Sequence, residues 1–245
     1  MLVVLRILRS IWIWGASGGL IVLWSPVVAA VRLFDRDPLH RRTARWFRGL
    51  GPVLAWINPW HVSVSGAEHL EAGKVYVIVS NHQSMADIPV LTHLRVDAKW
   101  MAKAELFRLP VIGWMLRMAG DIPVERADRR QAAQALLKCV RHLRQGCSLV
   151  FFPEGTRSPD GRVLPFQKGP FQLAVREGVP VVPIAVHGSG DALPRDTWLF
   201  GGSHQIRVRV LEPVPSAGME AEALRDAVRQ RIVEELARMN ASGVE

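Results

Sequence analysis

Hydrophobic residues follow two different patterns along the chain and divide it into two parts. Residues 10–31 form an uncharged stretch of about twenty residues, the length that a helix needs to cross a bilayer. A second helix is predicted to begin at Asp37, a favourable N-cap followed by Pro38, and to end near residue 57. One face of this helix is apolar (Leu39, Trp46, Leu50, Val53, Ile57), and the opposite face carries Arg41, Arg45 and Arg48. The pattern is typical of a helix lying in a membrane interface. The alternative is a soluble helix that covers the core.

Basic residues flank the first helix on both sides. Arg6 and Arg9 precede it, and Arg32 and Arg36 follow it. The distribution of positive charge therefore favours no orientation across a membrane. It suits a helical hairpin, residues 1–60, that dips into one leaflet with both ends on the cytoplasmic side. A single span stays open as the alternative.

From His61 onward, short apolar strands alternate with helical segments. The strands are predicted at 61–65, 75–80, 99–102, 122–124, 148–152, 181–186 and 206–211. The helices are predicted at 86–94, 110–118, 128–145, 168–176 and 220–239. This alternation predicts an α/β domain, residues 61–245, with a mostly parallel sheet flanked by helices. The longest loop is expected at 191–203.

A histidine and an aspartate lie in the turn that leaves the strand at 75–80, where α/β folds place chemistry. If His82 lies in the loop and Asp87 at the beginning of the helix, the two side chains can meet. Pro89 supports that arrangement, because proline is tolerated in a first helical turn. Asp87 would then accept a hydrogen bond from one ring nitrogen and leave the other free as a base. The alternative is a pair of unrelated capping residues.

A second polar turn, 151–158, leaves the strand at 148–152. Gly155 allows a ligand to approach the backbone closely, Thr156 offers a hydroxyl, and the Arg157 guanidinium matches phosphate oxygens. The alternative for this turn is a simple ion pair between Glu154 and Arg157.

A third turn, 120–126, ends at an arginine in a basic neighbourhood. Arg126 closes it, and Lys103 lies upstream. An ordinary solvated basic face is the alternative explanation for this positive charge.

The formal net charge of +9 and the pI near 10.7 predict an anionic partner: nucleic acid, anionic lipid or a phosphorylated substrate. No nucleic-acid-binding motif is present, and the tryptophans cluster with the apolar amino-terminal segments, as expected for a membrane interface. Nucleic acid is therefore not an expected partner. Cys139 and Cys147 lack metal-ligand spacing and are expected to be reduced thiols, so no metal site is predicted.

Four stretches together resemble the motif signature of the glycerolipid acyltransferases, and most closely the bacterial 1-acyl-glycerol-3-phosphate acyltransferases. They are Asn81-His82 with Asp87, Gly120 to Arg126, Phe152-Pro153-Glu154-Gly155-Thr156-Arg157, and Val179-Pro180-Val181-Val182-Pro183. They occur in this order, and the resemblance covers roughly residues 75–187.

The resemblance implies transfer of a fatty acyl group from acyl-CoA or acyl carrier protein to the sn-2 hydroxyl of lysophosphatidic acid, giving phosphatidic acid. It implies His82 as general base, Asp87 as its orienting partner, no acyl-enzyme and no cofactor. The acceptor's phosphate would be held by Arg126, Arg157 and Lys103, while Glu154, Gly155 and Thr156 belong to the substrate site. It also implies association with membrane lipids at the cytoplasmic face of a bacterial inner membrane.

Three alternatives remain open at this point. The acceptor is a different lyso-lipid, such as lyso-ornithine lipid. The chain is a serine hydrolase that uses Ser84, although no G-x-S-x-G elbow is present. Or it is a non-catalytic protein whose charge binds membranes or nucleic acid.

Overall fold

A computed structural model describes residues 2–125, 129–202 and 204–241. Within them, seven strands form one sheet. The strands are β1 Trp60–Ser65, β2 Val77–Ser80, β3 Ala98–Lys103, β4 Ile122–Val124, β5 Ser148–Phe151, β6 Val181–His187 and β7 His204–Val210. Their order across the sheet is β1-β7-β6-β2-β5-β3-β4.

The five strands from β6 to β4 are parallel. β7 pairs antiparallel with β6, and β1 pairs parallel with β7, so β1 and β7 run antiparallel to the other five strands. Every residue of β2 and β5 is buried, as expected for central strands covered on both faces. The predicted mostly parallel sheet is confirmed, and the predicted strands agree with the observed ones to within two residues at each end.

Nine helices lie in the described part of the chain. They are α1 Leu2–Phe34, α2 Arg41–Arg48, α3 Leu50–Ile57, α4 Asp87–Leu91, α5 Ile112–Met118, α6 Arg129–Arg144, α7 Gly169–Glu177, α8 Ser189–Ala192 and α9 Ala221–Ala241. Helices α6, α7 and α9 cover one face of the sheet, where Leu224, Val228 and Ile232 of α9 are fully buried. On the other face, α3 and α4 contact one another over β2 and its neighbours. The turn before α4 therefore leads from strand β2 into this helical layer.

The amino-terminal helix α1 is continuous through Pro26 and packs against α2, α3 and α5. The helical segment from Val3 to Phe34 contains an apolar stretch of 18 residues with a mean hydropathy of 1.6. Only 6% of that stretch is buried inside the protein. By length and composition it is a candidate membrane anchor. Its exposed face includes Leu8, Trp12 and Leu23.

The predicted hairpin of two long helices is not confirmed, because its second arm is divided into α2 and α3. The helix begins at Arg41 rather than near Asp37, since His40 has a positive φ of 51° and the Asp37 carboxylate accepts hydrogen bonds from the backbone at 39 and 41. A new helix, α3, begins at Leu50. Its second residue, Gly51, packs tightly against Thr92, which follows α4: a Cβ atom added to Gly51 would lie 2.0 Å from Oγ1 of Thr92.

Candidate active site

The polar turns predicted from the sequence meet at one edge of the sheet. β6, β2, β5 and β3 are parallel neighbours, so their carboxyl ends lie side by side. The turn after β2 carries His82, the turn after β5 carries Glu154 to Arg157, and Lys103 is the last residue of β3. Arg126 lies outside the described residues, so its assignment stays a prediction.

His82 and Asp87 are in direct contact, as their spacing predicts. Nδ1 of His82 lies 2.7 Å from Oδ2 of Asp87, the first residue of α4. The same carboxylate oxygen accepts the backbone N–H groups of Gln83 at 2.8 Å and Ser84 at 2.9 Å. The Asp87 side chain is fully buried, so these three donors hold both the carboxylate and the turn in one geometry.

The second ring nitrogen of His82, Nε2, has no hydrogen-bond partner within residues 2–125, 129–202 and 204–241. The His82 side chain is 16% exposed. Its ring stacks on Phe152 with centroids 4.1 Å apart and planes inclined by 21°. With Nδ1 donating to Asp87, Nε2 of the neutral ring is unprotonated and can accept a proton. That arrangement suits a general base.

Glu154 is directed into the protein. Its Oε1 accepts the backbone N–H of His82 at 2.7 Å, and its Oε2 accepts that of Leu164 at 2.8 Å. Burial raises the pKa of this carboxyl group to about 7, although both backbone hydrogen bonds and His82 act to lower it. An ion pair between Glu154 and Arg157 is not found among the described side chains. The simple ion-pair explanation of this turn therefore does not hold.

The rest of this turn faces the same edge. Gly155 is buried with φ of 76°, a conformation that favours glycine. Thr156 is exposed, and Arg157 is half-buried and donates from Nη1 to the backbone carbonyl of Arg195 at 3.2 Å. Lys103 is exposed at the end of β3. The structure thus brings a basic, polar surface beside the His82 turn.

Ser84 is fully buried and engaged in hydrogen bonds. Its hydroxyl donates to the carbonyl of Leu193 at 2.6 Å and accepts from the N–H of Ala86 at 3.1 Å. A hydroxyl committed in this way, with Asp87 rather than Ser84 as the partner of His82, lacks the geometry of an activated nucleophile. The serine hydrolase alternative is disfavoured.

The two cysteines are free and buried, as expected from their spacing. Burial raises the pKa of the Cys139 thiol to about 12, which makes it inert at neutral pH. Across the part of the chain that the structure describes, no group of three or more His, Cys, Asp or Glu side chains is placed to hold a metal ion.

Residues 61–187 match the sequence profile of the family described as Acyltransferase. The chain belongs to the acyltransferase family. This match begins at the strand β1 and ends with β6, so it includes the His82 turn, the turn at Glu154 and all five parallel strands.

Relatives of this acyltransferase include two chloroplastic plant proteins named 1-acyl-sn-glycerol-3-phosphate acyltransferase. The protein from Brassica napus is 39% identical over 219 residues, 89% of this chain and 62% of its own length. The protein from Arabidopsis thaliana is 37% identical over 201 residues, 82% of this chain and 56% of its own length. The chain thus spans roughly three fifths of the length of these relatives.

A crystal structure from Thermotoga maritima, titled as the 1-acyl-sn-glycerophosphate (LPA) acyltransferase PlsC, has the same fold. It superposes with a TM-score of 0.86 at 27% identity and covers 98% of each chain. The likeness includes the amino-terminal helices as well as the sheet.

Side chains that hold the site of this acyltransferase together across the sheet make contacts that are not evident from the sequence. Asn81 spans from the end of β2 to β6: its Nδ2 donates to the carbonyl of Val186 at 2.9 Å, and its Oδ1 accepts the N–H of Val186 at 2.8 Å. Phe152 is predicted as the end of a strand and the first residue of a motif, and the structure adds that its ring stacks on His82. Arg195 lies in the segment predicted as a long loop. Its contact with Arg157 depends on the arrangement of the sheet, which no local pattern reveals.

A cavity of about 440 Å³ lies between α2, α3 and β3 in the acyltransferase. Its walls include Pro52, Val53 and Leu91, and arginines of α2 line part of it. Trp100 also lines the cavity, and its ring makes an edge contact with the ring of Phe152 at a centroid distance of 6.2 Å. Phe152 stacks in turn on His82. The cavity is therefore connected to His82 through the rings of Trp100 and Phe152.

Proposed function

We propose that this chain transfers an acyl group from a thioester to the sn-2 hydroxyl of 1-acyl-glycerol-3-phosphate, giving phosphatidic acid. The observation that carries the proposal is the His82–Asp87 contact of 2.7 Å beside Arg157. The likeness to proteins named for this activity supports the same substrate.

The chemistry follows from the ring geometry of His82. An alcohol becomes a good nucleophile when a base removes its proton, which contributes about 10²–10⁴ in rate. Nε2 takes the proton of the sn-2 hydroxyl while Nδ1–H donates to Asp87, which stabilises the imidazolium that forms. The substrate oxygen attacks the thioester carbonyl to give a tetrahedral intermediate.

Collapse of that intermediate breaks the C–S bond. The proton on Nε2 of His82 then passes to the departing thiolate, so the histidine returns to its neutral form. The nucleophile is the acceptor's own oxygen, so no acyl-enzyme is formed. The donor is acyl-CoA or acyl carrier protein, and the reaction draws no electrons from a cofactor.

The substrate-binding roles are divided between the two polar turns. Arg157, with Lys103 and Arg126, is assigned to the acceptor's phosphate, because guanidinium and ammonium groups bind phosphate oxygens strongly. Gly155 and Thr156 line the same turn. Glu154 is directed into the protein, and both of its oxygens accept backbone N–H groups. We therefore assign it to positioning His82 and the turn.

Membrane association is part of the proposal. The substrates are lipids, and α1 exposes a long apolar surface. Helix α1 would keep the active site at the surface of the bilayer, and the exposed Arg42 and Arg45 of α2 would face lipid headgroups. Arg48, predicted on the same face as Arg45, is instead paired with the buried Asp121.

A thiol-release assay on the purified full chain tests the function. The donors are acyl-CoA and acyl carrier protein thioesters, and the acceptors are lysophosphatidic acid, other lysophospholipids and lyso-ornithine lipid. We expect acceptor-dependent release that is greatest with lysophosphatidic acid. Release that is equally fast without any acceptor would indicate a hydrolase, and greater activity with another lyso-lipid would reassign the substrate.

A further inference from the structure

Arg195 and Arg157 hold each other by reciprocal hydrogen bonds. Nη1 of Arg195 donates to the backbone carbonyl of Arg157 at 2.7 Å, and Nη1 of Arg157 donates to the carbonyl of Arg195 at 3.2 Å. The two side chains therefore run past one another in opposite directions. Arg195 follows α8 and lies outside the residues matched by the family profile, which end at 187. Nothing in the sequence motifs assigns it a role.

Both arginines are tied to the catalytic turn. Ser158, the neighbour of Arg157, donates its backbone N–H to the carbonyl of His82 at 2.8 Å. Leu193, two residues before Arg195, accepts the hydroxyl of Ser84 at 2.6 Å. The arginine pair is thus connected to the turn that carries His82 by two hydrogen bonds, one made by Ser158 and one by Leu193.

The pair carries more positive charge than the surrounding carboxylates neutralise. Within the described residues, Arg157 has no ion pair. Arg195 approaches only Asp196, with its Nε 3.7 Å from Oδ1, and the Asp196 side chain is 84% exposed. An exposed pair of this kind contributes little. Each guanidinium has five N–H donors in a planar fork, and one donor of each is used by a carbonyl.

We propose that Arg157 and Arg195 form a two-arginine clamp for the phosphate monoester of the acceptor, and that Arg195 is a specificity-determining residue. The proposal rests on the function proposed above. A phosphate monoester offers three oxygens and a charge near −2, which matches two guanidinium forks and relieves the repulsion between them. The phosphate and the sn-2 hydroxyl are only a few bonds apart in the acceptor, so a phosphate held beside the turn brings the hydroxyl toward Nε2 of His82.

The clamp predicts selectivity for a phosphorylated acceptor over a neutral one. The first experiment compares wild type, Arg195→Ala and Arg195→Lys in the thiol-release assay, with 1-acyl-glycerol-3-phosphate and with 1-acylglycerol of the same chain length. We expect Arg195→Ala to raise the KM for the phosphorylated acceptor by about 10–100-fold, because a charged hydrogen bond is lost. Its KM for the thioester and its rate with 1-acylglycerol should remain close to wild type. Arg195→Lys, which keeps the charge, should recover part of the loss.

Arg162→Ala is the matched control. Arg162 lies in the loop after β5 and its side chain is 89% exposed, so the variant removes the same charge without touching the pair. We expect its kinetics to match wild type. An unchanged KM for the phosphorylated acceptor in Arg195→Ala would overturn the clamp. So would an equal loss with both acceptors, which would indicate that Arg195 only supports the backbone of Arg157.

A binding measurement separates the clamp from the catalytic proposal. Calorimetric titration with glycerol 3-phosphate needs no turnover, and we expect Arg195→Ala to bind it at least about tenfold more weakly than wild type and Arg162→Ala. Absence of thiol release from wild type with every acceptor would refute the proposed function, whereas equal glycerol 3-phosphate affinity in all variants would refute the clamp. If Arg195→Ala melts well below wild type, the comparison is made with Arg195→Lys and Arg195→Gln.

Discussion

Oε1 of Glu154 accepts the backbone N–H of His82 at 2.7 Å, so a carboxylate within the Pro153–Arg157 turn fixes the main chain of the proposed base. The resemblance to the family implied that this residue belongs to the substrate site. Its side chain is buried, and its second oxygen accepts Leu164 N–H. A group whose acceptors are both used inside the protein is better suited to positioning than to binding.

The first prediction concerns pH and stability. Burial raises the pKa of Glu154 from 4.5 to about 7. Between these values the folded protein binds more protons than the unfolded chain, so the free energy of unfolding contributed by this group falls as the pH rises, by at most about 3 kcal/mol. We expect Glu154→Gln, which cannot ionise, to lose this part of the dependence when urea unfolding is compared at pH 5 and pH 8. Glu68→Gln, at an exposed position, is the control and should behave as wild type.

The same variant distinguishes positioning from substrate binding. A glutamine offers one carbonyl oxygen, so it can accept only one of the two backbone N–H groups that Glu154 holds. The turn that carries His82 should then loosen, and kcat at pH 8 should fall by about 10–100-fold with the acceptor KM nearly unchanged. A rise in acceptor KM with normal kcat would instead assign Glu154 to the substrate.

The second prediction concerns the proposed base and its partner. His82→Ala removes the base and should lower kcat by about 10²–10⁴ while acceptor binding is retained. Asp87→Asn should also lower kcat, because a neutral amide cannot stabilise the imidazolium that forms at His82 as the carboxylate does. Single-turnover kinetics and acceptor titration on each variant provide the measurements. Single-turnover rates of wild-type size in His82→Ala would show that another group removes the proton.

The third prediction uses Ser84 to separate two reaction classes. Its hydroxyl is buried between Leu193 and Ala86, so Ser84→Ala leaves a buried carbonyl without its donor. We expect unfolding to become easier by about 1–3 kcal/mol, with acyl transfer largely retained at a temperature where the variant is folded. A serine hydrolase would lose its activity completely. Comparing thermal melting with thiol release on the same sample tells the two outcomes apart.

Local patterns predicted most of the strands and helices because apolar segments are clearly separated by polar turns along this chain. The apolar runs of β2 and β5 and the period of α9 are clear in the sequence. The contact of His82 with Asp87 was expected if His82 lies in the loop and Asp87 begins the helix, and Pro89 supported that placement. The break between α2 and α3 was missed, because the apolar face is continuous across it. The break coincides with Gly49, Gly51 and Pro52, and Pro52 has no N–H to donate to the carbonyl of Arg48 four residues before it.

The candidate site was predictable only where its parts lie close in sequence. Asn81 reaches Val186 on the adjacent strand β6, and Arg157 after β5 reaches Arg195 after α8. Both pairs are distant along the chain. No periodicity or turn signal reports such a contact. Glu154 was predicted as a site residue from the sequence. The inward direction of its side chain was not predicted, because an acidic residue in a turn is usually exposed.

The last prediction concerns the apolar surface of α1. Trp12 and Leu23 are 64% and 74% exposed, and each contributes about 1.5–3 kcal/mol when it moves from water into an apolar environment. We therefore expect the double substitution Trp12→Ser, Leu23→Ser to weaken binding to anionic phospholipid vesicles by more than about tenfold in a sedimentation assay. Leu137→Ser is the control, since Leu137 is 62% exposed on α6, across the sheet from α3 and α4. Equal weakening by Leu137→Ser would indicate a non-specific loss of hydrophobicity, and unchanged binding of the double variant would exclude this face of α1 as the membrane contact.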